Sequence, residues 1–182
     1  NIFQHASTHP NVDSLIISHD NASTTHILRM SRLFYDKLDR KKYKPMTSAT
    51  NRNEIVFENP NKKDRQDNPG LRSSIRVETA GNPNAGVSRT IQMLHISEIS
   101  KWENAEEVMT GLMQTVPDEP NTLIVIESTA NGVGGKGAYF YELWKDAKSG
   151  NNDFVTVFIP WWSVSEYSKP APDNFVLFDY DH

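Results

Sequence analysis

The sequence predicts an α/β fold in which a mostly parallel sheet is covered by helices. Short apolar runs recur along the chain, and several are separated by stretches whose apolar residues have helical spacing. This alternation is typical of βαβ units, because the intervening helix returns the chain so that consecutive strands run parallel. With 182 residues, 37% of them apolar, the chain is long enough to bury a core without disulfides.

The segment after Pro10 predicts a buried strand and then an amphipathic helix. Residues 12–18 form a short apolar run, and residues 20–23 offer polar side chains that can cap a helix. The apolar residues that follow recur at spacings of three and four, which places them on one helix face; they are Ile27, Met30, Phe34 and Leu38. We expect this face to be buried, and the helix to end in the basic stretch 41–45.

Two further strands are predicted on either side of a polar loop. Residues 54–58 and 74–79 alternate apolar and polar side chains, whereas residues 59–70 are rich in Asn, Pro and charged residues. We predict that the two strands form a small antiparallel appendage to the parallel sheet.

Three more strands are predicted in the second half of the chain. Residues 90–96 are typical of a strand that ends at Ser97 and Glu98. Residues 122–126 are the strongest prediction of a buried strand, because this run is continuous and rich in β-branched residues. Residues 153–159 predict a last strand.

Two helices lie between these strands. Residues 104–115 predict one, with apolar residues on one stripe; these are Val108, Leu112 and Val116, with Met109 and Met113 beside them. The second is predicted to end near Gly150, and its apolar residues are Phe140, Leu143, Trp144 and Ala147. The tail 160–182 is expected to be an extended linker in which Trp161 and Trp162 act as packing anchors.

Composition excludes several classes of site. The chain has no cysteine, which removes disulfides, thiol nucleophiles and cysteine-ligated metals. Its six histidines show no HExxH or close-pair pattern, so zinc is not predicted, and His95 is expected in the core or at an interface. No apolar run approaches the roughly 20 residues of a membrane helix, and no signal segment is visible, which favours an intracellular location.

The net charge of −4 conceals a basic segment of the chain, residues 29–76. Between Arg29 and Arg76 lie 13 Lys or Arg and 6 Asp or Glu, whereas the remaining residues hold 6 and 17. Such a segment indicates either a surface that faces a polyanion or simply solvated loops and helix faces. If it faces DNA, neutralising Arg65, Arg72 and Arg76 should weaken binding.

Ligands of parallel α/β sheets bind outside the carboxyl ends of the strands, which points to three places. They are Ser18-His19-Asp20, Ser97-Glu98 and residues 127–132. A carboxylate such as Glu98 at the end of an apolar strand can activate a water for attack on a phosphate, or can simply cap the following turn.

Residues 127–132 carry side chains suited to a phosphate or a bound water. Ser128, Thr129 and Asn131 can each donate and accept hydrogen bonds, and Gly132 permits a turn that a side chain would block. The alternative is an ordinary strand-to-helix turn.

Two other features are weaker candidates for a phosphate-binding or catalytic role. Residues 132–137 are not a phosphate loop, since the motif needs Gly at Ala130 and Ser or Thr at Gly137, so we predict a turn. Arg89 opens the strand that leads to Glu98, where it would neutralise phosphate charge or form a surface salt bridge.

Two motifs together resemble the large terminase subunit of tailed bacteriophages, the ATPase motor and nuclease that packages viral DNA. Residues 93–102, Met-Leu-His-Ile-Ser-Glu-Ile-Ser-Lys-Trp, are similar to the Walker B strand of that family. Residues 126–132, Ile-Glu-Ser-Thr-Ala-Asn-Gly, with residues 139–144 are similar to its coupling motif, and the order and spacing also match. Residues 12–20 resemble the strand that follows the family's phosphate loop.

The resemblance implies a P-loop ATPase (RecA-like, or ASCE) sheet with ATP and Mg²⁺ as cofactors. Glu98 would be the catalytic carboxylate, and Ser97 would stand where most such ATPases have a magnesium-associated Asp. The nucleotide-binding and phosphate-sensing residues would be Ser128, Thr129, Asn131 and Gly132. Arg89 would be an arginine finger that acts on a neighbouring subunit.

The resemblance also implies that this is an incomplete domain. The Walker A strand and loop are expected before Asn1 and a nuclease domain after His182, with residues 1–160 in the ATPase domain and 161–182 in a linker. The 182 residues alone are then expected to be inactive. Expected partners are double-stranded DNA, the terminase small subunit, the portal protein and further copies in a ring, in the cytoplasm of a bacterial host.

Other classes stay open at this point. One is a different P-loop DNA motor such as a helicase, and another is a metal nuclease that uses Glu98 and Glu127. A third is a non-enzymatic α/β assembly module in which both carboxylates are structural.

Overall fold

The computed structural model describes residues 2–82, 85–86, 89–167 and 169–170. The chain divides into two units, Asn1–Leu143 and Trp144–His182. Among the described residues, no helix combines the length and the apolar character needed to cross a membrane. The helices and strands in chain order are α1 Ile2–Thr8, β1 Asp13–Ser18, α2 Asn21–Lys37, β2 Ala49–Thr50, β3 Glu54–Phe57, β4 Ser73–Thr79, β5 Met93–Ser97, α3 Ala105–Met113, β6 Leu123–Glu127 and α4 Ala138–Ser149.

One mixed sheet organises the first unit. Its six strands have the order β2-β3-β4-β1-β5-β6. The pairs β1–β4, β1–β5 and β5–β6 are parallel, whereas β2–β3 and β3–β4 are antiparallel. The predicted α/β class with a mostly parallel sheet is therefore confirmed at the level of a general α/β fold.

The predicted antiparallel appendage is only half correct. The strands β3 and β4 do pair antiparallel. However, β4 also pairs in parallel with β1, with Ser74 opposite Asp13, so it is an internal strand of the main sheet. Alternation of apolar and polar side chains predicts a strand, but it does not determine which strands pair with it. The short strand β2 was not predicted.

The helix α2 begins where the sequence predicts. The carboxylate of Asp20 accepts a hydrogen bond from the backbone N–H of Ser23 at 2.7 Å, and this bond holds the pKa of Asp20 below its ordinary value. The helix ends at Lys37, before the predicted stretch 41–45, because Leu38 already has an extended backbone.

The predicted buried face of α2 is only partly correct, since Ile27 does pack against the core. The buried side consists of Thr24, Leu28 and Ser31, whereas Met30 is 41% exposed and Phe34 is 53% exposed. The Thr24 hydroxyl donates within the first turn of the helix, so its burial leaves no polar atom unpaired. The spacing of apolar residues alone could not show that small polar side chains face the sheet.

Helices cover both faces of the central strands. On one face α3 packs against β1 and β5, and the shared core contains Leu15, Ile17, Leu94, Ile96, Trp102, Val108, Met109 and Leu112. This confirms the predicted apolar stripe of α3, although Met113 is 39% exposed. On the other face α1 and α2 cover a second cluster, which includes Ala6, Ile16, Leu28, Phe57, Ile75 and Met93.

The strand β6 was predicted to be buried, but it is partly exposed. It lies at the edge of the sheet, where β5 is its only partner within the described residues. Leu123 is 40% exposed and Val125 is 39% exposed. An apolar, β-branched run predicts that a strand belongs between two layers, but it does not determine whether a second strand pairs with its outer edge.

The second unit lacks the predicted last strand. Residues 153–159 have no strand assignment, and Val155 and Val157 are largely exposed. Alternating apolar residues favour an extended chain, but a strand also needs a hydrogen-bonded partner. Trp161 and Trp162 contact each other edge to face and are mostly exposed, so they are not packing anchors here. Residues 171–182 of the predicted linker lie outside the described residues.

Gly70 and Gly111 provide a matched test of the backbone conformation. Gly70 has φ of +76°, and a Cβ there would lie 2.9 Å from the backbone nitrogen of Asn59. We expect Gly70→Ala to lower the free energy of unfolding by about 1–3 kcal/mol. Gly111 lies in α3 with open space around it, so Gly111→Ala should raise that free energy by about 0.5–1 kcal/mol. Urea unfolding measures both, and a stable Gly70→Ala variant would contradict the loop conformation.

Candidate functional site

The carboxyl ends of β5 and β6 meet at one edge of the sheet. The two strands are parallel, with Ser97 opposite Glu127, and the backbone N–H of Glu98 donates to the carbonyl of Glu127 at 2.9 Å. The structure therefore brings together Ser97-Glu98 and residues 127–132. The third predicted place, Ser18-His19-Asp20, lies at the end of β1 at the same edge, because β1 is parallel to β5 with Ile17 opposite Ile96.

Glu98 has a strained backbone conformation. Its φ is +56° and its ψ is +41°, the left-handed region, which costs a residue with a Cβ about 1–2 kcal/mol. The turn continues as a short 3₁₀ helix, Ile99–Lys101, and the indole N–H of Trp102 donates to the Ser97 carbonyl at 3.1 Å. These contacts hold the turn that follows β5 and carries the Glu98 carboxylate. They therefore stabilise the strained backbone of Glu98.

The Glu98 carboxylate has two polar partners. The hydroxyl of Thr129 donates to its Oε2 at 3.3 Å, and the ammonium group of Lys101 lies 3.2 Å from the same oxygen. The Glu98 side chain is 26% exposed. Glu98 is therefore an ionisable group at the sheet edge that is oriented by its neighbours and still reachable by water.

A buried serine connects the two loops. The Ser100 N–H donates to the Ser128 hydroxyl at 3.1 Å, and that hydroxyl lies 2.8 Å from the Ser100 hydroxyl. The Ser100 hydroxyl in turn donates to the Thr129 carbonyl at 2.9 Å, and the Asn131 amide donates to the Ser100 carbonyl at 2.8 Å. Ser100 is not among the predicted site residues, since nothing in its spacing distinguishes it from an ordinary turn residue.

This network divides the predicted phosphate-sensing residues into two groups. Ser128 and Asn131 are hydrogen-bonded to Ser100, so their side chains hold the two loops together. Thr129 is the one whose hydroxyl reaches the carboxylate of Glu98. Gly132 has φ of +78°, which a residue with a Cβ rarely adopts, so the predicted need for glycine at this turn is confirmed.

The glycine-rich segment after β6 is a tight turn, as predicted. Gly135–Gly137 form a 3₁₀ helix that leads into α4, and Lys136 pairs with Glu103. A Cβ on Gly137 would collide with the carbonyl oxygens of Asn131 and Gly132. The segment therefore closes against the preceding loop and does not have the form of a phosphate-binding loop.

Ser97, His95 and Glu127 lie on one face of β5 and β6. His95 Nε2 is 3.5 Å from Glu127 Oε1, which gives the mid-strand histidine a polar partner. Hydrogen bonding from His95 is the main cause that lowers the pKa of Glu127; the Ser97 hydroxyl adds to it, and partial burial opposes it. The Ser97 side chain is buried and bonded to Glu127, so the negative charge next to Ser97 comes from Glu127.

The residues at this edge do not form a magnesium cage. Ser97 carries no charge and its hydroxyl is engaged by Glu127. Glu98 and Glu127 have different partners, and no group of three or more His, Asp or Glu in the described part of the chain is arranged to hold a metal.

The remaining predicted residues have other partners. Arg89 Nη1 is 4.0 Å from the carboxylate of Asp13, which begins β1 at the amino edge of the sheet. A five-residue strand such as β5 spans about 16 Å, so Arg89 and Glu98 of one chain lie at opposite edges. His19 pairs with Asp20 at 3.0 Å, and Asp20 caps α2, so that third predicted place has a structural role.

Comparisons with known proteins do not assign a family. No protein-family model matches the chain, and no curated protein sequence matches it. The geometry around Glu98 suits general-base catalysis, because a positioned carboxylate can take a proton from a water molecule at the sheet edge.

Ser100→Ala tests the network that joins the two loops. The substitution leaves the Ser128 hydroxyl and the Thr129 carbonyl without their partner, so we expect the free energy of unfolding to fall by about 1–3 kcal/mol. The control is Thr110→Ala, which removes an exposed hydroxyl bonded to the Glu106 carbonyl and should change stability by less than about 0.5 kcal/mol. Equal effects of the two substitutions in urea unfolding would contradict a structural role for Ser100.

Glu127 gives the fold a pH dependence. Its pKa is lower in the folded protein, so its ionised form stabilises the fold above the unfolded-state pKa, and this stabilisation is lost as the pH falls through the folded-state pKa. We expect the wild type to lose more stability than Glu127→Gln between about pH 5 and pH 3. Glu119→Gln, at an exposed loop position, is the control. Parallel stability profiles of wild type and Glu127→Gln would contradict the His95–Glu127 interaction.

Proposed function

We propose that the chain is part of the ATPase domain of a DNA-packaging motor similar to the large terminase subunits, and that Glu98 activates the attacking water. One observation carries the proposal: the Thr129 hydroxyl donates to the Glu98 carboxylate at 3.3 Å. This bond joins the Walker B-like segment to the coupling-like segment at the carboxyl edge of two adjacent parallel strands, which is where ligands of such sheets bind.

In the proposed reaction Glu98 acts as the general base. Its carboxylate takes a proton from water as the water oxygen attacks the γ-phosphorus of ATP. The bond between that phosphorus and the bridging oxygen breaks, and ADP and phosphate leave. Lys101 and Thr129 hold the carboxylate in place, and the Ser100 network ties any movement of Thr129 to the turn that carries Glu98.

Magnesium in this proposal comes with the nucleotide. Mg²⁺ in such enzymes is bound largely through substrate phosphates and water, with few protein ligands, and it neutralises phosphate charge. This is compatible with the neutral Ser97 at the position of the usual Asp. Because the described residues offer no cluster of acidic ligands, the metal nuclease is the less favoured alternative. A helicase-type motor would use the same site and differ in its flanking domains.

The proposal requires a phosphate-binding loop from polypeptide outside these 182 residues, since no segment of the sequence has the motif. The free edge of β6 offers a position for a further parallel strand, because Leu123 and Val125 are apolar and exposed there. A loop at the carboxyl end of that strand would lie beside Thr129 and Glu98. Residues 1–160 would then belong to the ATPase domain and 161–182 to the linker.

The proposed motor implies several partners. They are double-stranded DNA, a terminase small subunit, a portal protein and further copies of the chain in a ring, in the cytoplasm of a bacterial host. In such a ring Arg89 would act on a neighbouring subunit's nucleotide, since it lies at the opposite sheet edge from Glu98 of its own chain.

Glu98→Gln tests the proposed base in the natural polypeptide that contains these residues with a phosphate-binding loop. We expect kcat for ATP hydrolysis to fall by about 100-fold or more with little change in ATP affinity, because the amide cannot take the proton. The control is Glu103→Gln, an exposed carboxylate that pairs with Lys136. Steady-state phosphate release and equilibrium nucleotide binding give the two readouts.

Two outcomes would count against this assignment. A Glu98→Gln enzyme with kcat close to that of wild type would remove Glu98 as the base. ATP turnover by the 182 residues alone, abolished by Glu98→Gln, would support the base but contradict the need for a further loop.

A further inference from the structure

The cations of the basic segment, residues 29–76, have different surroundings. Three of them have polar partners inside the protein: Arg65 pairs with Glu58 at 2.8 Å, Arg76 pairs with Glu54 at 3.2 Å, and Lys44 lies over the Tyr35 ring. Both guanidinium groups therefore stabilise the hairpin and loop region of the protein itself, and the expectation that Arg65 and Arg76 contact DNA stays a prediction.

A second group is exposed and has no ion pair in the described part of the chain. Apart from Arg29 and Arg52, its members belong to two segments: residues 36–44, at the end of α2 and after it, and residues 58–72 between β3 and β4. They are Lys37, Arg40, Lys41, Lys42, Lys62, Lys63 and Arg72. The two segments together hold nine Lys or Arg and five Asp or Glu, so they are net positive in a chain of net charge −4.

The topology places both segments at the amino edge of the parallel strands. Residues 58–72 lie there because Phe57, the end of β3, is opposite Ser73, the start of β4. The helix α2 starts beyond the carboxyl end of β1 and returns; its 17 residues span about 25 Å. The six residues of β1 span about 20 Å, so the end of α2 reaches the same edge.

Contacts made by residues at or next to the ends of the two segments keep the segments close together. The Tyr35 hydroxyl donates to the Pro45 carbonyl at 3.0 Å, and its ring lies 6.0 Å from that of Phe57. The Ser48 hydroxyl donates to the Glu58 carboxylate at 3.2 Å. We call the exposed cations of these segments the amino-edge surface.

The loop that carries Lys62 and Lys63 is well ordered by its own hydrogen bonds. The buried Asn59 donates twice across it, from its backbone N–H to the Pro69 carbonyl at 3.0 Å and from its side-chain amide to the Asn68 carbonyl at 2.8 Å. Binding a polyanion would therefore not require the loop backbone to fold first, which lowers the entropic cost of association.

We propose that the amino-edge surface binds the phosphate backbone of duplex DNA. Exposed Lys and Arg without carboxylate partners are what phosphate contacts require, since each contact releases condensed counterions. The choice of duplex DNA rests on the proposed function. The surface lies at the opposite edge of the sheet from Glu98, so DNA and nucleotide would bind without competing for residues.

The test measures DNA affinity without nucleotide, so it is separate from the hydrolysis assay. A labelled duplex is titrated by fluorescence anisotropy at several salt concentrations with wild type, Lys41→Gln/Lys42→Gln and Lys62→Gln/Lys63→Gln. We expect each double variant to bind at least about tenfold more weakly at 0.1 M salt. The slope of log affinity against log salt should become shallower by about two.

The matched control removes two charges at the carboxyl edge. Lys101→Gln/Lys136→Gln, whose ammonium groups pair with Glu98 and Glu103, should change duplex affinity by less than about threefold. If this control weakens duplex binding as much as the test variants do, the effect is one of general charge and the proposed surface is wrong. The proposed surface is also wrong if both test variants bind the duplex as tightly as wild type. Circular dichroism melting of each variant shows whether the variant is folded, so that weaker binding can be distinguished from unfolding.

Two further results distinguish the possible failures. Tighter binding of a single-stranded oligonucleotide than of a duplex of equal length would overturn the choice of duplex DNA. If the natural protein hydrolyses ATP in a Glu98-dependent way but the test variants keep full DNA affinity, this surface is wrong while the proposed function stands.

Discussion

The parallel pairing of β5 with β6 is the constraint on which the candidate site depends. Because Ser97 lies opposite Glu127, two loops that are about thirty residues apart in the sequence leave the sheet at the same point. The Glu98 N–H continues the ladder by one bond to the Glu127 carbonyl. A shift of one residue in this register would turn His95 and Ser97 away from Glu127 and remove their hydrogen bonds.

The strained backbone of Glu98 depends on the polar network around Ser100. A left-handed backbone at a glutamate is unfavourable by itself, so the surrounding bonds must hold it. Ser100 supplies them through its buried hydroxyl and backbone, which tie the turn to Ser128, Thr129 and Asn131. The same contacts that stabilise the turn orient the Glu98 carboxylate, and this is how a structural network and a proposed catalytic group come to share residues.

The two edges of the sheet differ in the roles that their charges take. At the carboxyl edge each named carboxylate has a close polar partner: Glu98 with Lys101 and Thr129, and Glu127 with His95. At the amino edge most of the exposed cations have no ion pair among the described residues. Paired charges are suited to positioning a reacting group, whereas unpaired exposed cations are suited to a polyanion that provides the missing charge.

The sequence by itself determined the α/β class, the positions of most helices and strands and the N-cap at Asp20, because these depend on local periodicity and capping chemistry. It also pointed to the carboxyl ends of the strands, which is the edge where the structure places Glu98 and Thr129 in contact. The tertiary structure alone decided that β6 is an edge strand, that α2 buries Thr24 and Ser31, and that Ser100 joins the loops. Each of these depends on which segments become neighbours, and a local pattern of side chains does not contain that information.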